Sequence, residues 1–285
     1  MTLINPKSNP ACLAAGINIP LKKGEKIIAL AGNPNTGKST VFNALTGLNQ
    51  HTGNWPGKTV LKAQGRFVFK DQQYLLVDLP GTYSLLARSV DEEVARDFLC
   101  FAAPDATIVV ADATSLERNL NLALQVMEIT SRVVLCLNMM DEAERKKIHV
   151  NVQALSGELG IPVVPTAARE ERGLDNLKNT VHAVASRTLI PQPRPIVYPR
   201  IVEEAVSGLE PRLKGMLQGQ ICSRWVALRL LEGDESLLNA IETNLYPKLS
   251  RELSLVWSKT QPTQEVKEVS NAGFSISSDQ EYGYR

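Results

Sequence analysis

The stretch Gly32-Asn33-Pro34-Asn35-Thr36-Gly37-Lys38-Ser39-Thr40 determines how the rest of this sequence is interpreted. It fits the pattern G-x-x-x-x-G-K-[S/T], which is the phosphate-binding P-loop. The apolar run at residues 27–31 precedes it and predicts a buried strand, and the residues after it repeat with the spacing of a helix. Because the motif requires a strand before it and a helix after it, a chance glycine-rich turn is the weaker interpretation.

The residue types of this stretch have a chemical reason. Two glycines let the backbone turn so that successive N–H groups point at a di- or triphosphate, and the helix that begins near Lys38 adds its positive end. Lys38 is expected to reach the β- and γ-phosphates, and the Ser39 hydroxyl is expected to bind Mg²⁺. The sequence therefore predicts that residues 32–40 as a whole bind a nucleotide through its phosphates.

A second motif, Asp78-Leu79-Pro80-Gly81, follows the apolar run at residues 74–77. An aspartate at a strand end is usually a turn former, but behind a P-loop it is expected to hold Mg²⁺, commonly through water. The backbone N–H of Gly81 would sense a γ-phosphate and move when that phosphate leaves. All four residues of this motif are predicted to contact the nucleotide.

A third motif, Asn138-Met139-Met140-Asp141, follows the apolar run at residues 133–137. The Asp141 carboxylate would accept two N–H donors from the edge of guanine, whereas adenine presents an acceptor that the carboxylate repels. Asn138 is expected to brace the loop and the base, with Met139 beside it. Alone these residues are turn formers, but as the third motif in this order they predict a guanine nucleotide.

A fourth segment carries a weaker signal. The short apolar run at residues 161–164 leads to Thr166, Ala167 and Ala168, where a backbone N–H would contact the guanine carbonyl. Small residues at a strand end have no chemical content of their own. This prediction therefore depends on the motifs before it.

Residues 53–60 form a predicted loop between the first helix and a hairpin. A threonine here could close on Mg²⁺ and the γ-phosphate, and Thr59 is preferred over Thr52 for this role. Trp55, if exposed in a mobile loop, suggests a lid or a partner contact, although half-buried packing is the commoner role. The residues of this segment predicted to contact the nucleotide are Gly57, Lys58, Thr59, Val60 and Leu61.

Apolar runs and helical patterns alternate from residue 26 to about residue 187, which is typical of a mostly parallel sheet covered on both faces. A hairpin that joins residues 66–70 to 74–77 would make one edge strand antiparallel, and we expect six strands in all. The remaining predicted strands are 27–31, 106–111, 133–137 and 161–164, and the predicted helices are 38–47, 90–102, 117–130, 151–159 and 173–187.

Composition divides the chain into a large domain, a small one and flanking segments. Prolines at 191, 193, 195 and 199 mark a linker, and the segment beyond it has helical periodicity without strand signals. The predicted parts are an N-terminal extension (1–24), an α/β domain (25–188), a Pro-rich linker (189–199), an all-helical domain (200–260) and a disordered tail (261–285).

The bulk composition excludes several classes of protein. The net charge is +1 from 31 basic and 30 acidic residues, so no strong field is available to hold nucleic acid over a large face. The 4 cysteines and 3 histidines are scattered, which predicts reduced thiols and no metal cluster. No run of 18 apolar residues occurs, so the chain as given is expected to be soluble.

Taken together, the motifs resemble those of the Ras-like GTPase superfamily. More narrowly, the strings G-N-W-P-G-K-T-V at 53–60, D-L-P-G-T-Y-S at 78–84 and D-A-T-S-L-E-R-N-L at 112–120 resemble the ferrous iron transport protein B family. The resemblance covers roughly residues 26–260. It implies a P-loop GTPase fold with a helical domain after it, and catalysis that involves Lys38, Asn35, Thr59 and Gly81.

The same resemblance implies partners and cofactors. Mg²⁺ would be held by Ser39, Thr59 and Asp78, and an activating K⁺ by Asn35. The partners would be GTP and GDP, a membrane permease domain of the same protein and small accessory proteins of iron uptake, with no nucleic acid. This chain would then be the soluble N-terminal part of a transporter, at the cytoplasmic face of the bacterial inner membrane, and it carries no visible Fe²⁺ ligand set.

Two positions depart from the general GTPase pattern. Thr82 follows the second motif where Ras-like proteins carry the glutamine that orients the attacking water, which predicts slow hydrolysis unless K⁺ supplies charge. Met139 replaces a lysine over the base, which predicts modest affinity and quick nucleotide release. Two alternatives therefore stay open: a ribosome- or RNA-associated GTPase, and a GTP-binding scaffold with negligible hydrolysis.

Overall fold

The computed structural model describes residues 21–47, 50–55, 58 and 60–244. The chain divides into two compact units between Pro195 and Ile196, a point inside the predicted linker. The predicted tail and most of the predicted N-terminal extension lie outside the described residues.

The first unit is built on a seven-stranded sheet with the order β2-β3-β4-β1-β5-β6-β7. β1 pairs in parallel with β4 and β5, and β5, β6 and β7 continue in parallel, whereas β2–β3 and β3–β4 are antiparallel. The strands are β1 (Lys26–Gly32), β2 (Gln50–Asn54), β3 (Leu61–Phe69), β4 (Gln72–Asp78), β5 (Ala106–Asp112), β6 (Val133–Asn138) and β7 (Val163–Pro165).

The prediction of six strands is wrong by one, because β2 was not predicted, and its last two residues were placed in the loop at 53–60. Its sequence, Q-H-T-G-N, is polar and contains glycine, so neither apolar alternation nor β propensity marks it. It forms at the sheet edge, where it pairs with β3, and Thr52, Gly53 and Asn54 are exposed. The predicted hairpin is present and β3 begins at Leu61. β3 is the one strand of this sheet that runs opposite to the other six, but it is not the edge strand, because β2 pairs on its outer side.

Six α-helices of the described part of this unit pack around the sheet. α1 and α6 share one apolar cluster with alternate residues of the central strands, among them Ile28 and Leu30 of β1, while α3 contacts β1, β5 and β6. The helices are α1 (Lys38–Thr46), α2 (Val90–Phe101), α3 (Leu116–Ile129), α4 (Met140–Arg145), α5 (Val152–Leu159) and α6 (Leu174–Ala185). α4 was not predicted, and the other five lie within two residues of their predicted bounds.

Side-chain caps explain where several of these helices begin. Ser89 Oγ accepts from the Glu92 N–H at 3.3 Å before α2, and Asn151 Oδ1 accepts from the Ala154 N–H at 3.0 Å before α5. Both residues satisfy donors that the first helical turn leaves open.

The described part of the second unit contains three helices and no strand: α7 (Arg200–Leu217), α8 (Ser223–Glu232) and α9 (Glu235–Asn244). The predicted face of Val202, Val206 and Leu209 is buried. Up to residue 244, none of the described helices has both the length and the apolar character needed to cross a bilayer.

Candidate nucleotide-binding site

The sequence motifs meet at one edge of the sheet. Because β1, β4, β6 and β7 run in the same direction, their carboxyl ends place Gly32, Asp78, Asn138 and Thr166 side by side. Side-chain contacts join these loops directly, among them Lys38 to Asp78 and Asn138 to the P-loop backbone.

Local backbone geometry shows why the P-loop needs its glycines. Gly32 packs against the Val110 carbonyl, which would lie 2.8 Å from a Cβ placed there. Gly37 has φ +80°, and a Cβ on it would collide with the Asn138 amide. Both positions therefore exclude larger residues, one by close approach and one also by a left-handed backbone.

The remaining P-loop residues divide between anchors and exposed groups. Asn33 is buried and donates from Nδ2 to the Arg118 carbonyl at 3.4 Å, and Thr36 Oγ1 donates to the Asn33 carbonyl at 2.9 Å. Asn35 takes the left-handed conformation, φ 67°, with its side chain exposed. Ser39 and Thr40 are also exposed, at the start of α1.

Lys38 pairs with the second motif. Its ammonium contacts the Asp78 carboxylate and donates to the Leu79 carbonyl at 2.7 Å. Burial raises the pKa of Asp78, and the positive charge of Lys38 opposes that rise. The Lys38 ammonium is thus held at the end of β4 by its partly buried ion pair with Asp78.

The oxygen donors near this pair suit Mg²⁺. The Ser39 hydroxyl and the Asp78 carboxylate are hard oxygen ligands of the kind that Mg²⁺ takes, usually one or two per site with phosphates and water completing the shell. Among residues whose placement is described, no group of three His, Cys, Asp or Glu side chains forms an all-protein metal site. Thr59, the third predicted Mg²⁺ ligand, lies outside that part of the chain.

Gly81 lies beside the P-loop. A Cβ on Gly81 would sit 3.6 Å from the backbone of Pro34, and the Leu79 N–H donates to Leu30 of β1 at 2.9 Å. Thr82 is 5% exposed, so its hydroxyl does not stand out toward solvent, whereas Tyr83 is 45% exposed. The Gly81 backbone thus lies against the P-loop, and neither Thr82 nor Tyr83 resembles a water-orienting glutamine.

Asn138 joins three loops with one side chain. Its Nδ2 donates to the Thr36 carbonyl of the P-loop at 3.0 Å. Its Oδ1 accepts from Thr166 Oγ1 at 3.2 Å and from the Ala168 N–H at 3.1 Å. The residue is 3% exposed, so these bonds satisfy a buried amide and fix the separation between the phosphate and base loops.

Met139 and Asp141 follow Asn138 in the base loop. Met139 has φ 61° and initiates α4, and its Cε lies 3.6 Å from the position of a Gly37 Cβ. The Asp141 side chain is 12% exposed and accepts from Arg145 at 3.3 Å, a long contact to a largely solvated partner. A contact of this kind is weak, so the carboxylate remains available to a ligand.

The backbone donors after β7 all have partners within the protein. The Thr166 N–H donates to Leu137 O at 2.8 Å, and the Ala167 N–H donates to Arg172 O at 3.0 Å. The Ala168 N–H is the one that donates to Asn138. A base carbonyl would therefore have to share one of these three donors.

Within the predicted loop at 53–60, Gly53 and Asn54 belong to β2, and the Lys58 N–H donates to the Trp55 carbonyl at 3.0 Å. Trp55 is 4% exposed, with its ring edge-to-face on Phe98 of α2 and Lys62 above it at 5.0 Å. The interpretation of Trp55 as an exposed lid is therefore wrong, and the packing interpretation is closer.

Lys58 and Val60, two described residues of this segment, have partners within the protein. Lys58 Nζ pairs with Glu93 of α2 at 2.5 Å, and the Val60 carbonyl accepts from the Trp55 N–H at 2.8 Å. Leu61 begins β3. The structure thus gives Lys58 a partner on α2, while the roles predicted for Gly57 and Thr59 fall outside the described residues.

Sequence reasoning missed one residue that touches two of these loops. The backbone carbonyl of Arg118 in α3 accepts a hydrogen bond from Asn33 Nδ2, and the Arg118 guanidinium lies 4.4 Å from the centre of the Tyr83 ring. The signal was present, since Arg118 lies within the D-A-T-S-L-E-R-N-L string. Only the fold shows that this helix turn faces the P-loop.

Comparison with known proteins agrees with this geometry. The family model described as ferrous iron transport protein B matches residues 26–181, which is more than half of the chain. The chain belongs to the ferrous iron transport protein B (FeoB) family. A second model, the FeoB cytosolic helical domain, matches residues 198–269.

Solved FeoB structures resemble the chain over most of its length. The cytosolic domain of L. pneumophila FeoB matches with a TM-score of 0.75 and 32% identity, over 87% of this chain and 94% of that one. The cytosolic domain of T. maritima FeoB in a GDP form matches with a TM-score of 0.69 and 34% identity, over 87% and 97%. The chain thus comprises a FeoB G domain and helical domain.

Full-length relatives are much longer. The Fe(2+) transporter FeoB of Salmonella typhimurium is 40% identical over 215 residues, which are 73% of this chain and 27% of the transporter. The chain therefore spans about a quarter of that relative.

Proposed function

We propose that this chain binds GTP and GDP, hydrolyses GTP, and acts as the nucleotide switch of a ferrous iron transporter. The observation that carries the proposal is the Asn138 side chain, which bonds the P-loop and the loop after β7 at once. A phosphate-binding loop is thereby held at a fixed distance from Asp141, the group suited to read guanine. The FeoB family and its GDP-bound structures support the same function.

Each residue has a role in the proposed reaction, an in-line attack of water on the γ-phosphate. Lys38 would leave Asp78 to neutralise charge on the β- and γ-phosphates, and the N-terminus of α1 would add its dipole. The Gly81 N–H, beside Pro34, would sense the γ-phosphate. Ser39 and Asp78, with Thr59, would hold Mg²⁺, which when bound supplies charge neutralisation between the phosphates.

We propose that a second cation binds beside Asn35. With Thr82 buried, no side chain of the second motif replaces the missing glutamine. Asn35 is exposed and held in a left-handed turn, so its amide oxygen is available as a neutral oxygen ligand. This geometry fits K⁺, which when bound would supply positive charge to the phosphates as an arginine finger does.

Nucleotide preference and ion dependence test this proposal together. Hydrolysis of GTP and of ATP would be measured in K⁺ and in Na⁺, for the wild-type chain and for Asn35→Ala. We expect GTP to be preferred, turnover to be faster in K⁺, and Asn35→Ala to remove the difference between the salts. Equal rates in the two salts would contradict the role of K⁺ while leaving guanine binding in place.

The proposed transport role would require a membrane domain, which this chain does not contain. We propose that a membrane permease domain follows, that the chain works at the cytoplasmic face of the bacterial inner membrane, and that small accessory proteins of iron uptake join it. The helical unit would transmit the nucleotide-dependent change of the first unit to the permease. Deletion of residues 195–285 should then change the rate of GDP release, and an unchanged rate would count against this role of the helical unit.

The burial of Thr82 favours one alternative function, a GTP-binding scaffold that hardly hydrolyses. Without a water-orienting side chain, hydrolysis depends entirely on ions and backbone donors. Single-turnover hydrolysis with saturating enzyme, with and without K⁺, separates the two. Turnover no faster than uncatalysed GTP hydrolysis in both salts would favour the scaffold.

A further inference from the structure

Residues 80–84, which include Gly81, lie between two fixed points. On one side the Leu79 N–H is bonded to Leu30 of β1 at 2.9 Å. On the other side the Leu85 N–H donates to the side-chain Oε1 of Gln125 on α3 at 2.6 Å. Any movement of the Gly81 peptide must therefore be absorbed within five residues. We name residues 80–84 the sensing segment.

Gln125 is a buried polar residue in a position that the helix pattern would give to an apolar one. It is 5% exposed, and Leu122 beside it on the same face is 1% exposed. Its Oε1 accepts a second contact, from Ser84 Oγ at 3.3 Å, and Ser84 Oγ itself accepts from the Leu86 N–H at 3.1 Å. Burying an amide here is unfavourable unless it is bonded, and its Oε1 accepts from Ser84, the last residue of the sensing segment, and from Leu85, the next one.

Arg118 makes a second attachment from the same face of α3, two turns earlier. Its guanidinium lies over the ring of Tyr83 at 4.4 Å, and both side chains are exposed. A cation–π contact between exposed groups is weak, about 0.5–1 kcal/mol, so this attachment can open easily. Because the Arg118 carbonyl also accepts a hydrogen bond from Asn33 Nδ2, α3 contacts both the P-loop and the sensing segment.

We propose that Gln125 is a positioning residue for GTP hydrolysis. It fixes the downstream end of the sensing segment so that the Gly81 N–H stays beside Pro34, while the Tyr83–Arg118 contact opens and closes with the nucleotide. Gln125 touches neither the P-loop nor the base loop in the described contacts. This inference rests on the proposed GTPase function, and it assigns α3 the task of holding the segment that detects the γ-phosphate.

The principal test compares Gln125→Met, which keeps the shape and loses the acceptor, with Gln125→Glu, which keeps the acceptor. Glu117→Gln, an exposed change on the same helix, is the matched control. We expect Gln125→Met to lower kcat for GTP about tenfold with KM and GDP affinity within about twofold, because only the γ-phosphate-dependent step needs the segment. Gln125→Glu should recover most of kcat, and Glu117→Gln should match the wild type.

Hydrogen exchange of the Leu85 amide gives a readout that requires no turnover. In the wild type we expect Leu85 to stay protected with GDP and with a non-hydrolysable GTP analogue, while residues 81–83 change protection between the two. In Gln125→Met the Leu85 protection should be lost in both states. Tyr83→Leu should raise exchange at residues 82–83 alone, and Tyr83→Phe, which keeps the ring, should not.

The outcomes separate this inference from the proposed function. If the wild type lacks GTP turnover, the GTPase proposal fails, and the exchange experiment still decides whether Gln125 anchors the segment. If Gln125→Met keeps wild-type kcat or wild-type Leu85 protection, the positioning role is overturned. A parallel loss of GDP affinity and thermal stability in both Gln125 variants would also overturn it, because that result indicates a general packing role.

Discussion

Asn138→Ala tests whether the base loop is also the brace of the whole site. The substitution removes a donor to the Thr36 carbonyl and an acceptor for Thr166 Oγ1 and the Ala168 N–H, at 3.0, 3.2 and 3.1 Å. Each neutral hydrogen bond contributes about 1 kcal/mol net, and a buried donor left without a partner costs about 1–3 kcal/mol. We therefore expect the free energy of unfolding of the first unit to fall by about 2–4 kcal/mol without any nucleotide.

Native-state hydrogen exchange is the suitable assay, because a chain of two compact units need not unfold in one step. Protection of the amides in the centre of β6 reports the opening of the first unit alone. The matched control is Asp141→Ala in the same loop, whose carboxylate accepts a long contact from exposed Arg145. This control should weaken guanine binding and leave β6 protection unchanged.

One pattern would refute the reasoning. If Asn138→Ala lowered GDP affinity while β6 protection in nucleotide-free protein stayed within about 0.5 kcal/mol of the wild type, Asn138 would be a base contact and not a brace. The spacing of the phosphate and base loops would then need another explanation.

Three further predictions concern stability. Burial raises the pKa of Tyr74 to about 12. The neutral phenol therefore contributes its full stabilisation of the folded state below about pH 10, and this stabilisation is lost between about pH 10 and 12. Tyr74→Phe should remove this alkaline loss, on the order of 2–3 kcal/mol, in thermal unfolding at pH 9 and 12. Trp55→Ala should destabilise the first unit by about 3–5 kcal/mol, because the ring is buried on Phe98, and a change below about 1 kcal/mol in exchange protection would contradict this packing. Glu203 accepts from Arg224 at 2.7 and 2.9 Å, and its pKa is lowered chiefly by that bond. Arg224→Met should therefore lower the free energy of unfolding by about 1 kcal/mol at pH 7 and by progressively less below about pH 4, measured by denaturation at both pH values.

The central part of the fold was predictable because its signals are local. A buried parallel strand is apolar throughout, so β1, β5 and β6 are visible as runs in the sequence. The helices between them keep a regular apolar period, and their bounds followed to within two residues. The polar motifs at the strand ends then indicate one shared edge, since parallel strands end together.

What could not be predicted depends on pairing across the sheet or on contacts between distant segments. β2 has no pattern of its own, and it is a strand because β3 offers a free edge. The sequence around Trp55 suggests a loop residue, and only its edge-to-face contact with Phe98 of α2 shows that it is packed. Gln125 reads as an ordinary polar residue of a surface helix, and only its 2.6 Å bond from Leu85 shows otherwise.

The choice of base tests the account most directly. Competition binding by calorimetry would compare GDP, ADP and xanthosine diphosphate on the wild-type chain and on Asp141→Asn. A carboxylate suits the two N–H donors of guanine, whereas an amide suits the N–H and carbonyl of xanthine. We predict strong preference for GDP in the wild type and a shift toward the xanthine nucleotide in Asp141→Asn. Equal binding of ADP and GDP, or an unchanged preference in the variant, would contradict the assignment of Asp141 and the proposed function with it.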